Sequence, residues 1–143
     1  MPIFRSCLVG ALAALAAAPA AAQITIEGPF PGSASRYYRI SNGTYEELRA
    51  KARAMGGDLA TMELGSENNT LAAIYGDTKP FIGLNDADVE GTFAWSDGSG
   101  STFRNWAPGQ PNNSDTRDYV RFANGFGGWE VVTATESSSA IVR

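Results

Sequence analysis

Side chains that carry oxygen donors are concentrated in one part of this sequence, between residues 86 and 118. Several acids follow an apolar segment, and further acids and amides come after a stretch rich in Gly, Ser, Pro and Asn. Carboxylate and amide oxygens supplied by separate segments are the ligands that Ca²⁺ takes, about six to eight per ion. Calcium binding is therefore the first chemistry that these residue types indicate.

Two absences narrow the chemistry further. The chain contains no histidine, and its single cysteine is Cys7, close to the amino terminus. Ser-His-Asp and Cys-His nucleophiles are excluded, and so are zinc sites made of histidine and cysteine. Carboxylates alone can hydrolyse glycosides, but the spacing of the loop acids selects no pair. These acids are Asp86, Glu90, Asp97 and Asp118. We therefore expect that the protein is not an enzyme.

Residues 1–22 have the form of a secretory signal peptide. Arg5 provides a positive start, an apolar run extends from Cys7 to Ala18, and three alanines precede Gln23. A membrane anchor is the alternative, but a run this short and this rich in alanine spans a bilayer poorly. No later segment is apolar enough to cross a membrane. The leader, which looks bacterial in composition, predicts a secreted or periplasmic protein.

The mature chain, residues 23–143, has the length of one domain and is acidic. The full sequence holds 11 basic and 15 acidic residues; removing Arg5 with the leader leaves 10 against 15, a net charge of −5. There is no basic patch, which argues against nucleic acid as a partner. Without cysteines, the exported domain must be stabilised by packing alone or by packing together with a hard cation.

The elements that position the acids change in type near Pro80. Before it, Thr44 and Glu47 have the form of a capping box, apolar residues recur at helical spacing, and Gly56 ends that helix. Ser66 can cap a second helix. Strands are predicted at 37–40, 59–62, 81–84, 92–96, 118–122, 129–132 and 140–142. Helices followed by strands indicate an α+β domain.

Two segments lack a clear helix or strand pattern. Residues 23–36 carry two prolines and little periodicity, so we predict an N-terminal arm or a first edge strand there. Residues 97–116 are rich in Gly, Ser, Pro, Asn and Asp, which predicts a long loop. A loop of this length inside a compact domain is usually functional or disordered.

Four motifs follow one another within residues 81–113. They are Phe81-Ile82-Gly83-Leu84, Glu90-Gly91-Thr92-Phe93-Ala94-Trp95, Asn105-Trp106 and Gln110-Pro111-Asn112. Their order and spacing resemble the centre of a C-type lectin-like domain. The resemblance covers residues 37–143. It implies the C-type lectin-like fold, in which two helices flank a curled antiparallel sheet and a long loop carries the ligand site.

The resemblance also implies where the two disulfides of most family members would lie. Ala52 and Val142 take one pair of cysteine positions, and Tyr119 and Ala134 take the other. A large residue beside a small one can fill the space that a bridge leaves. The chain therefore resembles a disulfide-free variant of bacterial type, in which packing replaces the covalent links.

Two neighbouring sites are implied by the same resemblance. The sugar-binding positions map to Gln110, Asn112, Arg117, Asp118 and Glu130. An auxiliary Ca²⁺ site maps to Asp86, Glu90, Asn113 and Asp118, all of which offer oxygen. The sugar site departs from the family pattern at two positions. Where the family has a Glu, this chain has Arg117 if the alignment is fixed on the strand that follows, or Asp118 if residues are counted from Gln110. Where the family has an Asp, this chain has Val131. The tripeptide mixes the galactose and mannose forms, so it selects no sugar.

Each of these residues also has a purely structural interpretation. Glu90 can serve only to shape the hairpin, Asp86 can be a solvated loop acid, and Asn112 can be a turn residue after Pro111. The three tryptophans fit core positions better than ligand platforms.

The leading functional interpretation is a secreted carbohydrate-binding module of the C-type lectin-like class, assisted by Ca²⁺. The alternative is a calcium-independent protein-interaction or adhesion domain on the same fold, with a protein ligand in place of a glycan. The tripeptide and the acids favour the first interpretation, whereas Arg117 and Val131 favour the second.

Overall fold

The computed structural model describes residues 25–27 by their backbone, and residues 37–123 and 126–143 in full. The predicted signal peptide and most of the predicted arm lie outside the described residues. The strands in these ranges are β1 Thr25–Glu27, β2 Tyr37–Gly43, β3 Phe81–Asn85, β4 Ala94–Trp95, β5 Arg117–Phe122, β6 Trp129–Thr133 and β7 Ser138–Val142. The helices are α1 Tyr45–Ala54, α2 Gly65–Tyr75 and a short 3₁₀ helix, Gly76–Thr78. Neither α-helix has the length and apolar character that a bilayer-crossing segment requires.

The strands form one open, mixed sheet. Their order is β1-β2-β7-β3-β5-β6, with β4 paired to β3. Neighbours are antiparallel except β3 and β7, which run parallel where Phe81 lies opposite Ala140. Part of the predicted arm is thus an edge strand, because β1 pairs with β2. Two helices with this sheet confirm the predicted α+β class, but the sheet is mixed where the resemblance implies an antiparallel one, because β3 runs parallel to β7.

Helix α1 begins and ends where the sequence predicts. The Thr44 amide donates to Glu47 Oε2 at 2.9 Å, which satisfies a free donor at the helix start. Leu48 and Ala52 are buried on the inner face. Gly56 adopts a φ of 87° just past the helix end, a conformation that favours glycine.

Helix α2 begins earlier than the sequence predicts. It begins at Gly65 with Leu64 as the preceding cap residue, so Ser66 lies inside the first turn. Its buried residues are Asn68, Leu71, Ala72 and Tyr75. This spacing of three and four residues defines one inward stripe. Ile74 lies outside that stripe and is 41% exposed.

Gly83 allows three backbone segments to meet at the centre of the sheet. A Cβ added at Gly83 would lie 2.8 Å from the Leu59 carbonyl oxygen and 2.9 Å from Ser96 Oγ. The Ala60 amide donates to the Ile141 carbonyl at 2.8 Å, and the Gly83 amide donates to the Ala60 carbonyl at 2.9 Å. The predicted strand at 59–62 is therefore a short link between β7 and β3, and it forms only an isolated bridge.

The two pairs of positions that stand where the family has cysteines differ in their packing. Ala52 and Val142 are both buried in the same core cluster, as packing in place of a bridge requires. Tyr119 is buried and stacks on Tyr45, with ring centroids 4.4 Å apart. Ala134 is exposed, so it does not form a buried pair with Tyr119. The Tyr45 ring fills that part of the core.

Candidate functional site

An acid cluster forms where the loop after β3 meets the chain just before β5. We use this name for Asp86, Glu90, Asn113 and Asp118. Asn113 Nδ2 donates to Asp86 Oδ2 at 2.7 Å and to Glu90 Oε1 at 2.5 Å. The Asp86 side chain also accepts the Gly91 amide at 2.8 Å, and the Asp86 amide donates to the Asp118 carbonyl at 3.0 Å. The fold thus brings together the four residues of the predicted auxiliary site.

Negative charge in the acid cluster is poorly compensated. Desolvation raises the pKa of Glu90, and repulsion from Asp86, Asp115 and Asp118 raises it further. Desolvation likewise raises the pKa of Asp118, and Asp86 and Asp115 add to the shift. Crowded carboxylates of this kind favour either a proton or a bound cation.

Two oxygens of the acid cluster are buried without a hydrogen-bond partner. They are Asp86 Oδ1 and Asn113 Oδ1. The Asp86 residue is only 2% exposed, so water does not readily satisfy its carboxylate. Most buried polar atoms have partners, which makes these two oxygens an indication of a ligand site.

The donors of the acid cluster fit Ca²⁺ by type, but the present arrangement is not a closed coordination shell. Among the described residues, no group of three His, Cys, Asp or Glu side chains is arranged to hold a metal ion. The nitrogen of the Asn113 amide, rather than its oxygen, lies between Asp86 and Glu90. A Ca²⁺ ion held there requires that amide to turn its oxygen toward the carboxylates.

Gln110 is built into the outer edge of the sheet. The long loop lies along the free edge of β6, where the Trp129 amide donates to the Asn105 carbonyl at 2.9 Å. Gln110 Oε1 then accepts the Val131 amide at 3.2 Å and the Asn112 amide at 2.9 Å. Because two backbone donors occupy this oxygen, Gln110 positions the loop and offers a ligand mainly its Nε2 group.

Of the other predicted sugar residues, Asp118 belongs to the acid cluster, and the remaining three lie in different environments. Asn112 is exposed at the loop tip, after a cis peptide bond between Gln110 and Pro111. Glu130 pairs with Arg121, with Nε and Oε1 2.9 Å apart. Arg117 is half-buried at the start of β5. The structure therefore places Gln110 and Asn112 together at the tip, whereas the carboxylate of Glu130 is held by Arg121.

Trp129 is the central residue beneath the loop and is fully buried. Its ring lies 5.9 Å from those of Trp95 and Trp106 and 5.6 Å from that of Phe103, measured between centroids. Its Nε1 donates to Asn68 Oδ1 at 2.7 Å. These contacts make the three tryptophans structural, as their sequence context predicts, and they give the long loop a rigid base.

Two arginines that position the site were missed by sequence reasoning. Arg104 donates to three backbone carbonyls of the loop and hairpin at 2.7 to 3.1 Å. Its guanidinium lies over the Trp95 ring, 5.6 Å from the centroid, and desolvation lowers its pKa. Nothing local in the sequence signals this role. Arg121 lies directly opposite Glu130 in the β5–β6 register, so aligning the two predicted strands would have revealed that pair.

Comparisons with known proteins agree with this geometry. A family model described as "Lectin C-type domain" matches residues 41–141. An α-N-acetylgalactosamine-specific lectin of Patiria pectinifera is 33% identical over 99 residues, covering 62% of this chain and 58% of that protein. Lectin BRA-3 of Megabalanus rosa is 34% identical over 77 residues, covering 52% and 48%. The mouse low affinity immunoglobulin epsilon Fc receptor is 31% identical over 94 residues, covering 64% and 28%.

The chain thus spans less than two thirds of the length of each of these relatives. All three are animal proteins, so the prediction of a bacterial type gains no support from them.

Solved structures share the fold. The carbohydrate-recognition domain of cow CD23, determined in the presence of a GlcNAc2Man3 oligosaccharide, superposes with a TM-score of 0.69 at 24% identity, covering 75% of this chain and 84% of that one. A calcium-independent type II antifreeze protein superposes with a TM-score of 0.70 at 21% identity, covering 82% and 94%. Together with the family match over residues 41–141, these findings show that the chain belongs to the C-type lectin domain family of non-enzymatic carbohydrate-binding domains.

Proposed function

We propose that this protein is a secreted lectin that binds a glycan at the tip of its long loop. The observation that carries the proposal is the presentation of the Gln110-Pro111-Asn112 motif. The loop is fixed along β6 by backbone pairing, while the Asn112 side chain remains exposed. A rigid loop that presents amide donors and an acceptor suits sugar hydroxyls, because little conformational entropy is lost on binding.

Ca²⁺ has a supporting role in this proposal. Asp86 and Glu90 come from one loop, and Asn113 and Asp118 from the other, so an ion in the acid cluster would tie the two loops together. It would neutralise the crowded carboxylates and supply partners to the two buried oxygens. The sugar itself would be bound by Asn112 and the Nε2 group of Gln110.

Secretion is part of the same proposal. Residues 1–22 carry the features of a signal peptide, and cleavage before Gln23 would release an arm, residues 23–36, followed by the lectin domain, residues 37–143. The related lectins support a glycan as the ligand, since one of them is named for its specificity toward α-N-acetylgalactosamine.

A protein ligand is the second candidate, and one observation favours it. Gln110 Oε1 and the Glu130 carboxylate already have partners within the chain, and Val131 offers no side-chain oxygen. A sugar-site calcium of the family type therefore lacks ligands, which fits a calcium-independent interaction or adhesion domain. The relative named for an immunoglobulin Fc partner gives this candidate a precedent within the family.

A glycan array with the purified protein, run in calcium and in chelator, tests the two candidates. We expect glycan binding that persists in both buffers and strengthens in calcium. Asn112→Ala should weaken it about tenfold, because it removes two hydrogen-bonding groups at the tip, and should leave the melting temperature unchanged. Asn69→Ala, an exposed asparagine on α2, is the matched control. An array without any bound glycan would favour the protein ligand.

A further inference from the structure

Arg117 stands apart from the other arginines of the described ranges. Four of them, Arg49, Arg53, Arg121 and Arg143, pair with carboxylates. Arg39 lies over the Tyr75 ring, and Arg104 donates to backbone carbonyls. Within residues 37–123 and 126–143, the Arg117 guanidinium has no carboxylate within 4.0 Å and no hydrogen bond or ring contact.

The backbone fixes where Arg117 lies. Its amide donates to the Ser114 carbonyl at 2.7 Å, which closes the turn between the loop tip and β5. In the sheet, Arg117 lies directly opposite Thr133 of β6. Side chains directly opposite each other on paired strands are near neighbours. Arg117 is therefore next to the loop tip on one side and a β6 hydroxyl on the other.

Nearby acids do not neutralise Arg117. In the acid cluster, Asp86 Oδ2 and Glu90 Oε1 accept from Asn113 Nδ2 at 2.7 and 2.5 Å, and neither carboxylate lies within 4.0 Å of a described guanidinium. Toward β6, the acids Glu130 and Glu136 are held by Arg121 at 2.9 and 3.4 Å. The positive charge of Arg117 is thus available to a ligand, although the chain as a whole is acidic.

We propose that Arg117 binds an anionic group of the glycan, a carboxylate or a sulfate, so that the lectin selects acidic over neutral sugars. This inference rests on the proposed glycan-binding function and names its ligand class. A guanidinium matches the paired oxygens of either group with two parallel hydrogen bonds. The hydroxyls of Thr133 and Thr135, whose oxygens are 3.1 Å apart, offer further donors beside it.

The position of Arg117 in the family pattern also supports an anionic ligand. It is one of the two residues that stand where the family pattern has a calcium-binding Glu, and a guanidinium there repels a cation. The same charge attracts an anion that reaches past the Asn112 tip. The hydroxyl-binding amides and the anion-binding guanidinium would then contact adjacent parts of one acidic sugar.

Binding of three matched oligosaccharide sets to the immobilised full protein tests the inference. One set carries sulfate, one carries uronic or sialic acid carboxylates, and one is the neutral counterpart. We expect the wild type to bind at least one acidic set about tenfold or more tightly than the neutral one. Arg117→Gln should abolish that preference, and Arg117→Lys should keep part of it, because lysine retains the charge but not the paired geometry.

Lys51→Gln serves as the matched control, because it removes an exposed positive charge on α1, far along the chain from the loop. It should leave all affinities unchanged. A preference for the sulfated set alone or the carboxylated set alone supports the proposal and identifies the anion. Equal binding of neutral and acidic sets, or a preference that survives in Arg117→Gln, overturns the inference while leaving the lectin function intact. Failure of every set to bind overturns both.

Discussion

Single residues of this domain show that a family motif can be present while its hydrogen-bonding groups are occupied within the chain. Gln110 has the residue type expected of a ligand contact, yet its oxygen accepts two backbone amides of its own loop and β6. Glu130 is likewise held by Arg121. These intramolecular hydrogen bonds and ion pairs join segments that are distant in the sequence. The sequence alone therefore predicts which residues can bind a ligand, but not which of them remain available to do so. Asn112, Arg117 and the Nε2 group of Gln110 remain available.

Asp86 tests the proposed calcium ion most directly. Asp86→Asn keeps the shape of the side chain but removes the charge of a nearly buried carboxylate. A ligand at a hundred times its Kd stabilises a folded protein by about 2.7 kcal/mol. We expect calcium to raise the melting temperature of the wild type and to have no effect on Asp86→Asn, measured by calorimetry with and without chelator.

The control for that experiment is Asp88→Asn. Asp88 is an exposed acid of the same loop and lies outside the acid cluster. Its calcium response should equal that of the wild type. An undiminished response in Asp86→Asn would place any bound ion elsewhere.

Glu90 and Asp118 give the acid cluster a predictable pH dependence without calcium. The folded-state pKa of Glu90 is raised above its ordinary 4.5, and that of Asp118 is raised above its ordinary 3.8. At a pH between the ordinary and the raised pKa of either group, the folded state holds more protons than the unfolded chain. The stability from these groups is complete below the ordinary values and is lost as the pH rises through the raised ones. We expect Glu90→Gln to reduce the fall in melting temperature between about pH 4.5 and pH 7 in chelator.

Calcium should also reduce that fall in the wild type, because it takes the place of the protons. The comparison is made in one buffer series with all variants, so the titration of other groups cancels. A pH profile of Glu90→Gln that superposes on the wild type would show that the crowding of carboxylates has no consequence for stability.

At the scale of elements, one buried amide joins α2 to the β5–β6 hairpin. Asn68 accepts from Trp129 Nε1 at 2.7 Å and donates to the Gly127 carbonyl at 3.1 Å. Asn68→Leu leaves the indole nitrogen of Trp129 buried without an acceptor. We expect a loss of about 1–3 kcal/mol in the free energy of unfolding, measured by urea denaturation. The exposed neighbour variant Asn69→Leu should change it by less than about 0.5 kcal/mol.

A loss of similar size in both variants would instead indicate that leucine disturbs α2 itself. Retained stability in Asn68→Leu would mean that the indole finds another acceptor.

The elements also show how far local sequence signals extend. Helix α1 is predicted at both ends because its signals, the Thr44 and Glu47 pair and the glycine after the helix, act within a few residues. The start of α2 is missed because Leu64 carries no capping side chain. The pairing of the long loop with β6 is missed for a different reason. It joins Asn105 to Trp129 across more than twenty residues, and no periodic pattern marks it.

At the scale of the whole molecule, polar contacts stand in for one missing disulfide. Asp58 pairs with Arg49 and Arg53 of α1 at 3.3 and 3.4 Å and accepts from Ser96 Oγ at 3.0 Å. Its backbone exchanges two hydrogen bonds with Arg143, the residue after β7. One residue thus connects α1, β7 and the strand region after β4. Two of these elements, α1 and β7, carry Ala52 and Val142, the first pair of cysteine positions, which belong to one core cluster.

This convergence predicts that the chain still has the geometry for that bridge. The Gly57 amide donates to the Ala52 carbonyl at 3.1 Å, and a Cβ at Gly57 would lie 3.4 Å from the Val142 side chain, so both positions flank the same residue. We expect the double variant Ala52→Cys, Val142→Cys to oxidise spontaneously and to gain about 2–4 kcal/mol over its own reduced form in urea unfolding. Comparing the two redox forms cancels the cost of the substitutions, and the single variant Ala52→Cys should show no redox dependence. If two free thiols persist under oxidising conditions, α1 and β7 lie too far apart in this protein for the bridge. The loss of the disulfide would then have been accommodated by a shift of these two elements, and not by side chains that fill the space of the bridge.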